Sequence, residues 1–187
     1  MKTLFKNQAI SAKKISFTAL FAALCCIGTI VITIPLANGY FNVGDVFVML
    51  AGWCLGPVYG TIAAALGSGL ADVISGYTIY APATFLIKGT EAFLAYFIWF
   101  LMKKIIKGEK WDILPRSISA VAGGVCMAVG YFLYELALYG FGGAVATLIG
   151  NFTQGACGAI CAICLITALR PIKGVQKLFP LLNTPNN

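Results

Sequence analysis

Aspartate, glutamate, lysine and arginine are absent from Ile15 to Gly44, from Val46 to Ala71, from Ser117 to Tyr134 and from Leu136 to Leu169. Charge-free runs of that length predict bilayer spans, because an ionised side chain in hydrocarbon is costly and a helix needs about 20 apolar residues to cross. Glycine and proline interrupt the apolar pattern where backbone must leave the hydrocarbon. The pattern predicts an all-α, polytopic membrane protein, one integral domain over residues 1–187, with six transmembrane helices at about 14–35, 43–56, 58–75, 81–105, 115–139 and 144–169. The second is short for a hydrocarbon layer of about 30 Å, so it requires local thinning, burial among its neighbours or a shifted boundary. The run after Lys14 is too long for a signal-peptide core and predicts a retained helix. The tail from Phe179 to Asn187 predicts a loose end.

Charge sets the orientation. Lys2, Lys6, Lys13 and Lys14 form one basic cluster, Lys103, Lys104, Lys107, Lys110 and Arg116 a second, and Arg170, Lys173 and Lys177 a third, with Lys88 apart. If all three clusters lie inside, as the positive-inside rule prefers, an even number of spans separates each pair. Two fit between Arg116 and Arg170 and four between Lys14 and Lys103, which places both termini in the cytoplasm. Composition agrees: 60% of residues are apolar and 10% charged, with a mean hydropathy of +0.90. The net charge of +7 sits at the ends of apolar segments rather than on a basic face, which excludes nucleic-acid binding.

Several chemistries are excluded. The chain has no histidine, so HExxH metalloproteases and Ser-His-Asp or Cys-His catalysis are ruled out. The seven cysteines lie inside predicted helices and read as small apolar residues. Cys161-Ala-Ile-Cys164 has no matching second pair, so no metal site or cofactor is expected. No GxxxxGK[ST] phosphate loop occurs, and uphill transport would need an ion gradient or a partner ATPase. A membrane enzyme acting on lipids with Glu135 and Asp72 is the weaker alternative, since no clustered acidic motif accompanies them.

The remaining polar residues gather in the predicted outer half, leaving an inner half that is nearly all apolar. Lys88 and Glu91 are i, i+3 neighbours that can neutralise each other or face a cavity. Asp45 reads first as an N-cap, and Asp72 as a residue folding the turn between the third and fourth helices. Glu135, Asn151 and Gln154 serve either ligand contact or helix-to-helix hydrogen bonds. Tyr40, Tyr77, Tyr80, Tyr131, Tyr134 and Tyr139 crowd the same outer surface, as an interfacial belt or as stacking partners for a flat ring. Small residues at four-residue spacing, including Gly52/Gly56/Gly60 and Ala120/Gly124/Ala128, read mainly as internal packing.

Asn38-Gly-Tyr-Phe-Asn-Val-Gly-Asp45, Leu55-Gly-Pro-Val-Tyr-Gly60, Ala65-Leu-Gly-Ser-Gly-Leu-Ala-Asp72, Tyr80-Ala-Pro-Ala-Thr-Phe-Leu-Ile-Lys-Gly-Thr-Glu91, Gly130-Tyr-Phe-Leu-Tyr-Glu135 and Gly150-Asn-Phe-Thr-Gln-Gly155 resemble the substrate-binding S components of energy-coupling factor (ECF) vitamin transporters, of the hydroxymethylpyrimidine/pyridoxine type. The resemblance implies a multi-pass subunit of the bacterial plasma membrane. It would capture a small water-soluble vitamin outside, under a lid formed by the loop after the first helix. It implies no enzyme activity of its own and, as partners, a membrane coupling protein and two ABC-type ATPases. The family's small-residue motif against the coupling protein maps to Ala19 and Ala23. The substrate-binding candidates are Tyr40, Asn42, Tyr80, Lys88, Glu91, Glu135, Asn151 and Gln154. A self-sufficient secondary carrier or channel is the alternative; its expected inverted repeat, broken helices and acidic relay are not visible.

Overall fold

The computed structural model describes residues 11–36, 38, 40–106 and 112–183. Helix α1 runs Ala12–Val31, its first turn capped by the Ser11 hydroxyl, which accepts from Lys14 N at 3.3 Å. It stops short of the predicted boundary at Pro35. The β-branched run Ile32-Thr33-Ile34 before a proline favours extended backbone, and Thr33–Pro35 (β1) pairs antiparallel with Tyr40–Asn42 (β2), Thr33 opposite Asn42. Helix α2 (Gly44–Ile74), α3 (Ala81–Ile105), α4 (Ile113–Leu169) and α5 (Lys173–Leu178) follow, then a 3-10 turn at Pro180–Asn183.

Two of these helices fold back on themselves. In α2 the break is Gly56, at φ 84°, ψ −173°, followed by Pro57. That backbone region is essentially restricted to glycine, and a proline lacking its N–H restarts a helix without losing a bond. A Cβ on Gly60 would lie 2.5 Å from the Ala51 carbonyl oxygen and 2.8 Å from Gly52 Cα, whereas a straight helix would separate Gly52 and Gly60 by roughly 12 Å. The second reversal is Gly140 in α4, at φ 72°, ψ −177°. It brings Gly124 against Gly155, where a Cβ would sit 3.3 Å from the opposing Cα.

The segment 44–55 is therefore a short helix inside the bundle. Asp45, Val48, Met49, Ala51 and Trp53 are fully buried, so of the three remedies for its shortness it is burial among neighbours that applies. Gly52 abuts the Ala92 carbonyl and Gly67 the Ala22 carbonyl, so the small residues at these positions serve internal packing. Ala19 and Ala23, by contrast, are exposed. Outward-facing apolar side chains such as Ile149, Phe141, Leu86 and Ile105 cover the perimeter, and α1 to α4 are each long and apolar enough to cross a membrane. The chain is a polytopic membrane protein.

One end of the bundle holds a buried ionic clasp built from residues of the second and third basic clusters. Asp112 accepts from Arg116 Nε at 2.6 Å and Trp99 Nε1 at 3.1 Å, with Arg170 at 3.3 Å and Lys103 at 3.5 Å. The Arg116 guanidinium lies over Trp99 and Trp53, 4.7 and 5.3 Å from their rings. Burial alone would push the Asp112 carboxyl up, but Arg116, the Trp99 N–H and Arg170 hold it below the ordinary value. The tail is not loose either. Phe179 packs on Phe17 and Phe21, Leu182 is buried, and the Leu182 carbonyl accepts from Arg116 at 3.3 Å. Lys2, Lys6, Lys107, Lys110 and residues 184–187 lie outside the described residues.

Candidate functional site

At the opposite end a small cavity of about 30 Å³ lies beneath the β1–β2 hairpin, walled by the ends of α2, α3 and both halves of α4. The hairpin is tied down by polar contacts. The Tyr40 hydroxyl donates to Asp72 Oδ1 at 2.6 Å, and its ring meets Tyr77 at 4.8 Å between centroids. Burial, and then the Asp72 carboxylate, push the Tyr40 phenol above its ordinary value, so it stays a donor. Asn42 donates to Gln154 Oε1 through both its backbone N–H, at 2.9 Å, and its side chain, at 3.3 Å. Its own Oδ1 accepts the Gly44 N–H at 2.9 Å.

That last bond corrects one expectation: Asn42, not Asp45, satisfies the start of α2. Asp45 turns inward, where its carboxylate takes the Lys88 ammonium on one oxygen and Gln154 Nε2, at 3.2 Å, on the other. Lys88 also donates to Glu91 Oε2 at 3.1 Å, so it joins the acids of two helices rather than Glu91 alone. This Asp45–Lys88–Glu91 triad is buried beneath the cavity. Gly158 makes room for it, since a Cβ there would meet Asp45 Cβ at 2.6 Å.

Of the residues proposed from sequence as ligand contacts, Tyr40, Asn42, Tyr80, Glu135, Asn151 and Gln154 line the cavity, and Lys88 and Glu91 do not. Glu135 is held by hydroxyls: Tyr80 donates to Oε1 at 3.3 Å and Thr147 to Oε2. Asp72 is a further lining residue. Its carboxyl binds the hairpin rather than folding the next turn, although its backbone carbonyl does accept the Tyr77 N–H at 2.8 Å. Thr84 and Tyr131, hydrogen-bonded to each other at 2.9 Å, complete a wall that the sequence reading did not assemble. The signal was present: Tyr80, Thr84, Lys88 and Glu91 follow i, i+4, i+8, i+11 on α3, and Tyr131 precedes Glu135 by one turn on α4.

A polar cavity roofed by a strand pair thus lies at one end of a membrane-embedded helical bundle. Comparison with known families makes the class specific: the chain belongs to the family described as ECF-type riboflavin transporter, S component, whose model matches residues 9–171. It is a substrate-binding membrane subunit of an ECF transporter, not an enzyme, and it works with an energy-coupling module of a membrane T subunit and ATPases. A protein of Pyrococcus woesei described as an uncharacterized protein in gap 3′ region is 40% identical over 129 residues, 69% of this chain and 81% of its own length.

Proposed function

We propose that this subunit captures a flat, hydroxylated heteroaromatic vitamin in the cavity under the β1–β2 hairpin, on the outer side of a cell membrane that it crosses six times with both termini inside. The observation that carries this is the cavity's place and make-up. It lies opposite the end where Lys14, Lys103, Arg116 and Arg170 gather, and tyrosine faces and amide and carboxyl edges surround it. Tyrosine rings stack on a heterocycle while polar edges fix its orientation. Riboflavin, named in the family's description, is the first ligand to test. Pyridoxine and hydroxymethylpyrimidine, smaller flat heterocycles, follow, because the cavity beneath the hairpin is small. The exposed Ala19–Ala23 face of α1 is the proposed contact with the coupling protein, where small side chains let a partner helix approach closely.

The direct experiment is to purify the protein in detergent, release any bound small molecule for mass spectrometry, and titrate the stripped protein with the three vitamins, reading tyrosine and tryptophan fluorescence. Recovery of one of them, or saturable binding at submicromolar concentration, supports capture. Recovery of lipid alone together with no binding of any of the three overturns it.

A further inference from the structure

Nearly every polar group on the cavity wall already has a partner. Gln154 uses its oxygen on Asn42 and its nitrogen on Asp45, Glu135 accepts two hydroxyls, Thr84 and Tyr131 bond each other, and Asn38 donates to the Gly143 carbonyl at 3.2 Å. Two buried side-chain atoms on the wall have no partner within hydrogen-bond distance, although the Thr84 hydroxyl stands close to the Asp72 carboxyl. Asp72 Oδ2 and Asn151 Nδ2 are buried with no hydrogen-bond partner, on residues that are 4% and 7% exposed. A buried polar atom without a partner is destabilising, and such atoms in a native fold call for an explanation. Here both lie on the wall of one cavity. A carboxylate oxygen only accepts and an amide nitrogen only donates, so the missing partner offers an N–H or O–H to Asp72 and a ring nitrogen or carbonyl to Asn151.

The cavity is also one-sided in charge. Among the described residues no lysine or arginine lines it, while Asp72 and Glu135 do. The ammonium beneath the floor, on Lys88, is held by Asp45 and Glu91. A phosphate monoester carries about −1.5 to −2 charges at neutral pH and would meet two carboxyl groups, while the nearby Lys88 ammonium is already neutralised by its two acids.

Resting on the capture reading above, we propose that Asp72 and Asn151 are the specificity-determining contacts, selecting an unphosphorylated heterocycle with adjacent donor and acceptor groups and rejecting its phosphate ester. Asp72 has a second task. Its Oδ1 holds the Tyr40 hydroxyl of β2 while its Oδ2 is left for the ligand, so one carboxylate joins ligand and hairpin. Occupancy of Oδ2 fixes the carboxylate in the orientation that keeps the roof closed.

The test is calorimetric titration of the detergent-purified protein with riboflavin, pyridoxine and hydroxymethylpyrimidine, each beside its own phosphate monoester. Like-charge juxtaposition predicts that the ester of whichever vitamin binds is at least roughly 100-fold weaker. Asp72→Asn removes the charge at nearly constant shape. It should weaken the free vitamin about 10-fold or more, the size of a lost hydrogen bond to a charged group, and narrow the gap to the ester. Asn151→Ala should weaken the free vitamin roughly 5- to 10-fold. Tyr40→Phe keeps the ligand contact and removes the roof's bond, so stopped-flow traces should show dissociation about 10-fold faster at an unchanged association rate. Equal affinity for vitamin and ester in the wild type overturns the charge selection, and needs no variant to fold. Wild-type affinity in both Asp72→Asn and Asn151→Ala overturns the assignment of the contacts, and unaltered dissociation in Tyr40→Phe overturns the shared carboxylate. Failure of all three vitamins to bind the wild type overturns the capture reading itself, an outcome distinct from the others.

Discussion

Replacing Lys88 with methionine keeps the length of the side chain and removes its charge. Asp45 and Glu91 are both 0% exposed, and each gives Lys88 one oxygen. Without the ammonium, Asp45 retains only the donation from Gln154 at 3.2 Å. Glu91 retains nothing, because its other oxygen already lacks a partner. Removing one member of a buried ion pair destabilises by about 3–5 kcal/mol, since the opposing charge is left uncompensated; an exposed pair would lose at most about 1 kcal/mol. In a chain of this length 1 kcal/mol shifts Tm by about 2–4 °C, so Lys88→Met should lower it by roughly 6–20 °C. Trp53 and Trp99 are fully buried, and their emission during heating in detergent reports the transition. Combining Lys88→Met with Asp45→Asn and Glu91→Gln removes the charges together and should recover most of the loss. A single variant melting within about 2 °C of wild type refutes Lys88 as the cation that holds the triad. A triple variant no better than the single refutes unpaired charge as the cause.

Gly56→Ala forces a Cβ into the backbone region of the α2 reversal, a strain of about 1–3 kcal/mol, so Tm should fall by roughly 2–12 °C in the same melt. Asp112 is depressed below its ordinary 3.8, so its contribution to stability is present above that pH and lost as pH falls through its folded value. Melts between pH 6 and about 3 should show a wild-type decline at the acid end that Asp112→Asn lacks, the variant being less stable throughout. Ala19→Trp adds bulk to an exposed face and should leave vitamin affinity unchanged while abolishing co-purification with the coupling protein. A complex that still forms places the docking face elsewhere.

The helices were legible because the hydrocarbon imposes a coarse rule: long charge-free runs, punctuated by residues such as Gly56-Pro57 and Gly140 that only special backbone geometry explains. The strand pair after α1 was hidden by the same rule, since Ile32, Thr33 and Ile34 are as apolar as a helix end. Cavity residues with a charge or an amide stood out against the apolar background, which is how Glu135, Asn151 and Gln154 were found. Which of their atoms are free is a property of the folded geometry alone. Lys88 looked identical whether it faced the cavity or Asp45, and the clasp around Asp112 was invisible because Trp53, Trp99 and Arg116 meet only after the chain has reversed at Gly56.

In a chain this apolar, a buried polar cluster persists for one of two reasons: it is satisfied internally, or something outside the chain satisfies it. The two ends of the bundle differ on this point. At the basic end Asp112 is surrounded by Arg116, Arg170, Lys103 and the Trp99 N–H, and the guanidinium, whose Nη1 has no hydrogen-bond partner, is sheltered by two indole faces. Such a cluster joins α3, both ends of α4 and the C-terminal turn into a firm base. At the hairpin end Gln154 connects β2 to the buried triad through Asn42 and Asp45, so the roof is coupled to the same rigid floor, yet Asp72 and Asn151 remain incomplete. A ligand that supplies the missing donor and acceptor adds bonds where the protein has none to lose. Its binding energy is therefore delivered at the hairpin, the one described part of the structure between α1 and α2 that is held by side chains rather than by packed helices.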